Sequence, residues 1–104
     1  MITKTVRNLI NENKNNDVAI TSDHAQTIIY SDLKQHIHNI SGQLSFNGLT
    51  NKDRAAIVLP NGPEMATAFL AISSYMSAAP LNPSYTFSEY EFYLNDLKPK
   101  IVIV

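Results

Sequence analysis

Three short apolar runs separated by helical patterns constrain this chain more than any other feature. The runs lie at 55–59, 78–81 and 101–104, and none of them alternates apolar with polar residues. A continuous apolar strand is typical of a parallel sheet, because helices cover both faces of such a sheet. The order strand, helix, strand, helix, strand from Ala55 onward therefore predicts an α/β fold with part of a three-layer parallel sheet.

Two of the covering helices carry the same apolar spacing. Positions 0, 4, 7 and 11 are apolar in each, as Leu33, Ile37, Ile40 and Leu44 in the first and as Met65, Phe69, Ile72 and Met76 in the second. This spacing places the apolar side chains on one face of an α-helix. The predicted covering helices span 31–46, 61–76 and 86–97, and the apolar residues predicted to face inward from the third are Phe87, Tyr90, Leu94 and Leu97.

Start and stop signals support these helices. Ser31 is a predicted N-cap, and Gly48 is predicted to close the first of the three helices. Two further helix starts resemble capping boxes, in which a cap side chain and a residue three positions later bond to each other's backbone N–H. The residues of these boxes are Asn61 with Glu64 and Thr86 with Glu89, the second with Tyr85 and Tyr90 as a hydrophobic staple.

The first 30 residues predict a short helix and a β-hairpin. Apolar residues at Val6, Leu9 and Ile10 favour an amphipathic helix around Thr3 to Asn13. Two β-branched runs at 18–21 and 27–30, joined by polar residues, favour the hairpin. We expect residues 1–104 to form a single incomplete domain, because the run 101–104 is typical of an interior strand and ends the chain without a cap or polar tail. We therefore expect the chain to be truncated.

Composition excludes several classes of partner. Eight basic residues stand against nine acidic ones, so the chain lacks the positive field that nucleic-acid binding requires. The uncharged stretch 65–88 contains hydroxyl residues and is broken by Pro80 and Pro83, which argues against a transmembrane segment. The start of the chain has no apolar stretch of signal-peptide length. With no cysteine in the sequence, these features predict a cytoplasmic protein without nucleic-acid partners.

Histidines and carboxylates are the first candidates for chemistry. His36 and His38 lie two residues apart, about 200° around a helix, so they are not placed to share a metal ion. His24 falls in the predicted hairpin loop, where an exposed position is expected. Glu64 and Glu89 have predicted capping roles, and the remaining candidates, Glu91 and Asp96, are predicted surface charges.

Phosphate-binding and nucleophile motifs are also missing. A phosphate cradle needs closely spaced glycines at a strand-to-helix turn, whereas the turn 59–63 contains only Gly62, and Pro63 lacks an N–H. No serine lies in a G-x-S-x-G elbow. The residues alone therefore predict a scaffold with no catalytic, cofactor-binding or metal-ligating residue. If the chain were instead a free-standing ligand-binding module, its binding site would lie at the carboxyl ends of the strands, near Asn61 and Asn82.

Five segments in order nevertheless resemble one family. Tyr30–Leu33 is similar to a "Y-x-E-L" helix opening, and Gly48–Ile57 is similar to "G-(V/L)-x-x-G-D-R-V-A-I". The other three segments are Leu59–Glu64 and Phe69–Ala71, similar to "L-P-N-x-x-E" and "F-L-A", and Ala79–Thr86, similar to "A-P-L-N-P-x-Y-T". Together they resemble the N-terminal segment of the adenylate-forming (AMP-binding) acyl-CoA synthetase/ligase superfamily, closest to the oxalate–CoA ligase and 4-coumarate–CoA ligase-like branch. Lys52 and Ser77 depart from the family pattern, where glycine is usual.

The resemblance implies a parent enzyme that is an AMP-forming acid–CoA ligase. Such an enzyme uses ATP, Mg and CoA, joining a carboxylate to AMP and then passing the acyl group to CoA. The family's phosphate loop, nucleotide contacts and catalytic lysine lie beyond this region, so the 104-residue chain alone is expected to bind none of these cofactors and to be inactive. Its expected partner is the remainder of the ligase chain. The alternative is a free-standing α/β interaction or ligand-binding module without enzymatic activity, in which a partner covers the Ile101–Val104 edge.

Overall fold

This computed structural model describes residues 5–23 and 26–104, and these residues contain nine helices and strands. In chain order they are α1 (Val6–Asn11), β1 (Val18–Ile20), β2 (Ile28–Ile29), α2 (Tyr30–Phe46), β3 (Arg54–Ile57), α3 (Pro63–Ser73), β4 (Ser77–Pro80), α4 (Phe87–Leu97) and β5 (Ile101–Ile103). β1 and β2 form an antiparallel hairpin, and the other three strands form a parallel sheet. The predicted α/β class, with its leading helix and hairpin, is confirmed.

The parallel sheet has the strand order β4-β3-β5, so β3 is its central strand. Ala55 pairs with Ala78 on one side and with Ile101 on the other. The three residues Ala55, Ala56 and Ile57 are each 0% exposed. A strand that is buried on both faces explains why this run is continuously apolar.

Helices α2 and α3 pack together and build the core on one face of the sheet. One buried cluster joins these helices to the sheet through Leu44, Ala55, Ile57, Ile72 and Met76. A second cluster joins the same helices to α1 through Ile10, Leu33, Ile37 and Ala71. The apolar stripe predicted for α2 is confirmed. The stripe of α3 is confirmed at Met65 and Ile72, whereas Phe69 is exposed and Met76 is buried just beyond the end of the helix.

Helix α4 packs far less deeply than predicted. It contacts β3, whose Ala56 points away from the α2–α3 face by the alternation of side chains along a strand. None of its residues is buried, and Phe87 is 81% exposed. The prediction that Phe87 faces inward is therefore wrong. Tyr90, Leu94 and Leu97 are half-buried because they form the side of α4 nearest the sheet.

Two predicted helix caps are wrong, for different reasons. Ser31 lies inside α2, whose N-cap is Ile29, because backbone carbonyls of the loop between α1 and β1 accept the first helical N–H groups. These bonds run from Tyr30 N to the Asp17 carbonyl oxygen (2.9 Å) and from Ser31 N to that of Asn15 (3.0 Å). At α3 the N-cap is Gly62 rather than Asn61, and no side chain caps the helix. Gly62 has φ +156°, which favours glycine, and Pro63 begins the helix.

Other predicted ends are confirmed. Thr86 and Glu89 form the capping box of α4, with Glu89 N 3.3 Å from Thr86 Oγ1 and Thr86 N 3.1 Å from Glu89 Oε1. Gly48 follows the end of α2 with φ +83°. The N–H of Gly48 donates to the Ser45 carbonyl oxygen, and the N–H of Leu49 donates to the Leu44 carbonyl oxygen. These bonds satisfy carbonyl groups at the end of the helix.

Several elements are shorter than the predicted ranges. Helix α3 ends at Ser73 rather than 76, because the Ser73 and Ser74 hydroxyls bond to carbonyls of the last turn while Tyr75 N and Met76 N both donate to Ile72. β3 ends at Ile57, where the chain begins its turn toward α3. The hairpin strands shorten because α2 starts directly after Ile29.

Candidate functional site

A cleft of about 460 Å³ lies at the carboxyl ends of β3 and β4. It is formed by the two loops that lead from these strands into α3 and α4, and its lining residues are Leu59, Pro60, Asn61, Met65, Pro80, Leu81, Asn82, Pro83 and Ser84. The structure therefore brings Asn61 and Asn82 together at the edge where open α/β sheets bind ligands. This is the position that the sequence predicts for the binding site of a free-standing module.

Asn82 holds the second loop of the cleft in shape. Its side-chain Oδ1 accepts the N–H of Ser84 at 2.8 Å, and its carbonyl oxygen accepts the hydroxyl of Tyr90 at 2.7 Å. The N–H of Leu81 donates to the Ile57 carbonyl oxygen at 2.8 Å, which ties the same loop to the central strand. A short polar side chain that bonds to the backbone two residues ahead is typical of such turns. The loop is thus fixed from the sheet and from α4.

The cleft is uncharged. No Asp, Glu, Lys, Arg or His belongs to the described residues that line it, and its polar groups are amides, a hydroxyl and backbone atoms. Such groups can orient a ligand by hydrogen bonds, but they are not acids, bases or nucleophiles at neutral pH. The arrangement is therefore suited to holding or shaping a neighbouring segment or ligand rather than to proton transfer.

The predicted histidine and carboxylate candidates lie apart from this cleft. His36 and His38 are both exposed on α2, His36 beside α3 and His38 near Gly42, so the structure does not bring them together. His24 lies outside the described residues. Glu91 and Asp96 are exposed on α4, as predicted. Glu64 is exposed in the first turn of α3 and does not form the predicted capping box.

An aromatic cluster beside the cleft was only partly predicted. Tyr85 and Tyr90 make an edge contact at 5.6 Å between ring centroids, which confirms the predicted staple. Tyr93 also stacks on Tyr85 at 5.0 Å, and Phe92 meets the edge of Tyr93. Desolvation, followed by the neighbouring Tyr93, raises the pKa of the Tyr85 phenol. The spacing of residues 90 and 93 on one helix face was the signal that could have found the stack.

Within residues 5–23 and 26–104, no helix combines the length and apolar character that a membrane crossing demands. Among the same residues, no group of three or more His, Cys, Asp or Glu is placed to hold a metal ion.

Comparison with known proteins gives one consistent match. Residues 8–104 match the family model described as AMP-binding enzyme. The oxalate–CoA ligase of Saccharomyces cerevisiae is 33% identical over 104 residues, which cover 86% of this chain and 19% of that protein. The oxalate–CoA ligase of Arabidopsis thaliana is 42% identical over 57 residues, which cover 54% of this chain and 11% of that protein. The chain thus spans about a fifth or less of the length of these relatives.

Solved structures show the same fold. Apo MatB from Rhodopseudomonas palustris superposes with a TM-score of 0.82 at 25% identity, covering 94% of this chain and 20% of that chain. The structure of the same protein with ATP bound gives the same values. The likeness therefore includes the helix–hairpin start as well as the parallel sheet.

Proposed function

The chain belongs to the AMP-binding enzyme family, and we propose that it is the N-terminal scaffold of an AMP-forming acid–CoA ligase. In the proposed parent reaction, a carboxylate attacks the α-phosphate of ATP to give an acyl-adenylate and pyrophosphate, and the thiol of CoA then displaces AMP. The observation that carries this proposal is the family match across residues 8–104, supported by the oxalate–CoA ligase relatives.

The residues of the cleft and of the turn 59–63 do not fit Mg²⁺ and ATP. Magnesium prefers carboxylate and water oxygens, whereas the cleft offers amides, a hydroxyl and apolar groups. A triphosphate needs cationic side chains or several converging backbone N–H groups. The turn 59–63 has one glycine, and it is followed by a proline without an N–H. We therefore assign nucleotide binding and catalysis to the remainder of the ligase chain.

The role of this segment is structural. Residues Ala55, Ala56 and Ile57 of its central strand are fully buried, and hydrogen bonds from the sheet and from α4 fix the loop that follows β4. A rigid sheet with defined loops at its carboxyl edge is the type of framework on which α/β enzymes mount ligand-binding segments. We propose that the uncharged cleft holds such segments of the parent enzyme in place.

The test is an assay of the full-length gene product with ATP, Mg²⁺, CoA and a carboxylic acid. Oxalate is the first acid to use, because two relatives are named oxalate–CoA ligases. We expect AMP, pyrophosphate and a CoA ester to form in equal amounts with the full-length protein, and none to form with the 104-residue chain. A reaction without the acid is the control.

Two outcomes contradict the proposal. A full-length protein that forms no CoA ester with oxalate or with a panel of other carboxylic acids contradicts the ligase function. Acid-dependent AMP formation by the 104-residue chain contradicts the assignment of this segment as a scaffold. A native product that ends with this segment and binds a partner without turnover favours the free-standing module.

A further inference from the structure

Asparagine is followed by glycine at two places in the sequence, Asn47–Gly48 and Asn61–Gly62. Such a pair is prone to deamidation, in which the backbone nitrogen of the second residue attacks the side-chain amide carbon of the asparagine. Glycine favours this attack because it has no side chain to hinder the approach and its backbone adopts many conformations. The two pairs have the same chemistry, so the surrounding structure decides which of them reacts.

The pair Asn47–Gly48 is held by the end of α2. The side-chain amide of Asn47 donates to the Gln43 carbonyl oxygen at 2.7 Å, and the N–H of Gly48 donates to the Ser45 carbonyl oxygen at 3.0 Å. The amide that would be attacked and the nitrogen that would attack it are therefore both engaged. Both hydrogen bonds must break before the two groups can meet, and this local opening lowers the population of the reactive state.

The pair Asn61–Gly62 lies in the turn between β3 and α3, and both of its residues are exposed. Neither the Asn61 amide nor the Gly62 N–H forms a hydrogen bond with any residue of the ranges 5–23 and 26–104. Gly62 is the N-cap of α3, so its N–H lies outside the hydrogen bonds of the helix. The two groups can therefore meet without opening a helix or the sheet.

The second asparagine of the same cleft differs from Asn61 in two respects. Asn82 is followed by Pro83, whose ring nitrogen carries no proton and cannot attack in the same way. The Oδ1 atom of Asn82 also accepts the N–H of Ser84 at 2.8 Å, which holds its side chain in place. Of the two asparagines among the described residues that line the cleft, Asn61 is the one placed to react.

We propose that Asn61 is a site of spontaneous deamidation in the native protein, with water as the co-reactant. The Gly62 nitrogen forms a bond to Asn61 Cγ, which closes a cyclic succinimide. The bond from Cγ to the side-chain nitrogen breaks, and this nitrogen leaves as ammonia with the proton that Gly62 loses. Water then adds to either carbonyl of the ring and opens it to aspartate or isoaspartate, each with a new carboxyl group. Nothing is oxidised or reduced.

The product changes the charge of the cleft. The described residues that line it carry no charged side chain before the reaction, so the new carboxylate is the first charge there. Isoaspartate also lengthens the backbone of the turn between β3 and α3 by one carbon atom. A carboxylate that a neighbouring segment covers loses its hydration, which is unfavourable unless a partner replaces the water. We therefore expect the reaction to weaken irreversibly the binding of an uncharged segment in this cleft.

The test follows both pairs in the same molecules. The full-length gene product is incubated at mildly alkaline pH, and tandem mass spectrometry of its peptides measures the conversion of Asn61 and of Asn47 with time. Asn47–Gly48 is thus the internal control, and a parallel incubation in urea removes the folded structure from both pairs. Asn61→Gln is the matched variant, because it keeps an amide whose longer side chain forms the cyclic imide far more slowly. Asn61→Asp supplies the aspartyl standard.

In the native protein we expect Asn61 to convert at least roughly tenfold faster than Asn47, because two hydrogen bonds must break before Asn47 can react. In urea we expect the two rates to converge, since both pairs then have the same local chemistry. Isoaspartate, detected by enzymatic methylation, is expected at residue 61 of the parent protein and absent there from Asn61→Gln.

Three results overturn the proposal. The first is a native rate at Asn61 that is equal to or lower than the rate at Asn47. The second is a ratio of the two rates that is the same in urea, because the fold would then not cause the difference. The third is an Asn61 that reacts in the 104-residue chain but not in the full-length protein, which would show that the native cleft is covered. These measurements do not involve a CoA ester, so this proposal and the ligase function can fail independently.

Discussion

The two faces of the parallel sheet bury their helices to very different depths. On one face, α2 and α3 bury Leu33 to 1% exposure and Ile57 of the sheet to 0%. On the other face α4 buries no residue, and its Phe92 is 67% exposed. The difference teaches that apolar spacing in a helix is not sufficient for burial. Two helices side by side shield each other's flanks, whereas a single described helix leaves its flanks exposed.

The largest expected effect is on the α2–α3 face. We expect Leu33→Ala to lower the free energy of unfolding by about 2–5 kcal/mol, because it removes methyl groups from a closed cluster and leaves a cavity. Urea denaturation followed by circular dichroism measures the change. A loss as small as that of an exposed residue would show that this cluster is not a close-packed core.

Two glycine substitutions, one within α2 and one just after it, are expected to change the free energy of unfolding in opposite directions. Gly48→Ala is expected to lower the free energy of unfolding by about 1–2 kcal/mol, because Gly48 has φ +83°. A Cβ at this backbone conformation is strained, although no atom lies within 4 Å of its position. Gly42→Ala, in the middle of the same helix and equally free of neighbours, is expected to stabilise by about 0.5–1 kcal/mol. Equal shifts of the denaturation midpoint for both variants would contradict the assigned cap geometry.

On the α4 face we expect stability to depend on the cap rather than on burial. Thr86→Ala removes the capping box and is expected to lower the free energy of unfolding by about 1 kcal/mol. Thr86→Ser keeps the hydroxyl and is the control, with a smaller loss. Thermal denaturation of both variants makes the comparison, and equal stability of Thr86→Ala and the parent chain would show that α4 does not need its cap.

The smallest expected effect comes from the exposed aromatic on the same face. Phe92→Ala is expected to change the free energy of unfolding of the 104-residue chain by less than about 0.5 kcal/mol, because Phe92 is 67% exposed and its ring meets Tyr93 by an edge contact. The measurement is the same urea titration used for Leu33→Ala. A loss comparable to that of the core substitution would remove the contrast between the two faces.

The features that repeat along the chain could be predicted from the sequence. Periodicity predicts the order of strands and helices and the apolar face of α2. The capping box of α4 follows from a local pair of side chains, Thr86 and Glu89. These signals lie within a few residues of each other. Local chemistry therefore specified most of the fold.

The features that depend on distant contacts were missed. Ser31 is not a cap, because the backbone of residues 15–17 takes that role, and no local pattern around Ser31 shows it. Phe87 has helical spacing, but the spacing does not reveal how much of α4 the sheet covers. The position of the cleft follows from the rule that open α/β sheets bind ligands at the carboxyl ends of their strands. Its uncharged lining depends on how two loops that are distant in sequence come together.

The measurement that tests the central claim most directly is the denatured mass of the native gene product. An antibody against residues 11–17, all of which are exposed, detects the product in a blot. We predict a mass several times 11.6 kDa, as expected for a ligase of which this chain is the N-terminal part. A product of 11.6 kDa would contradict that claim.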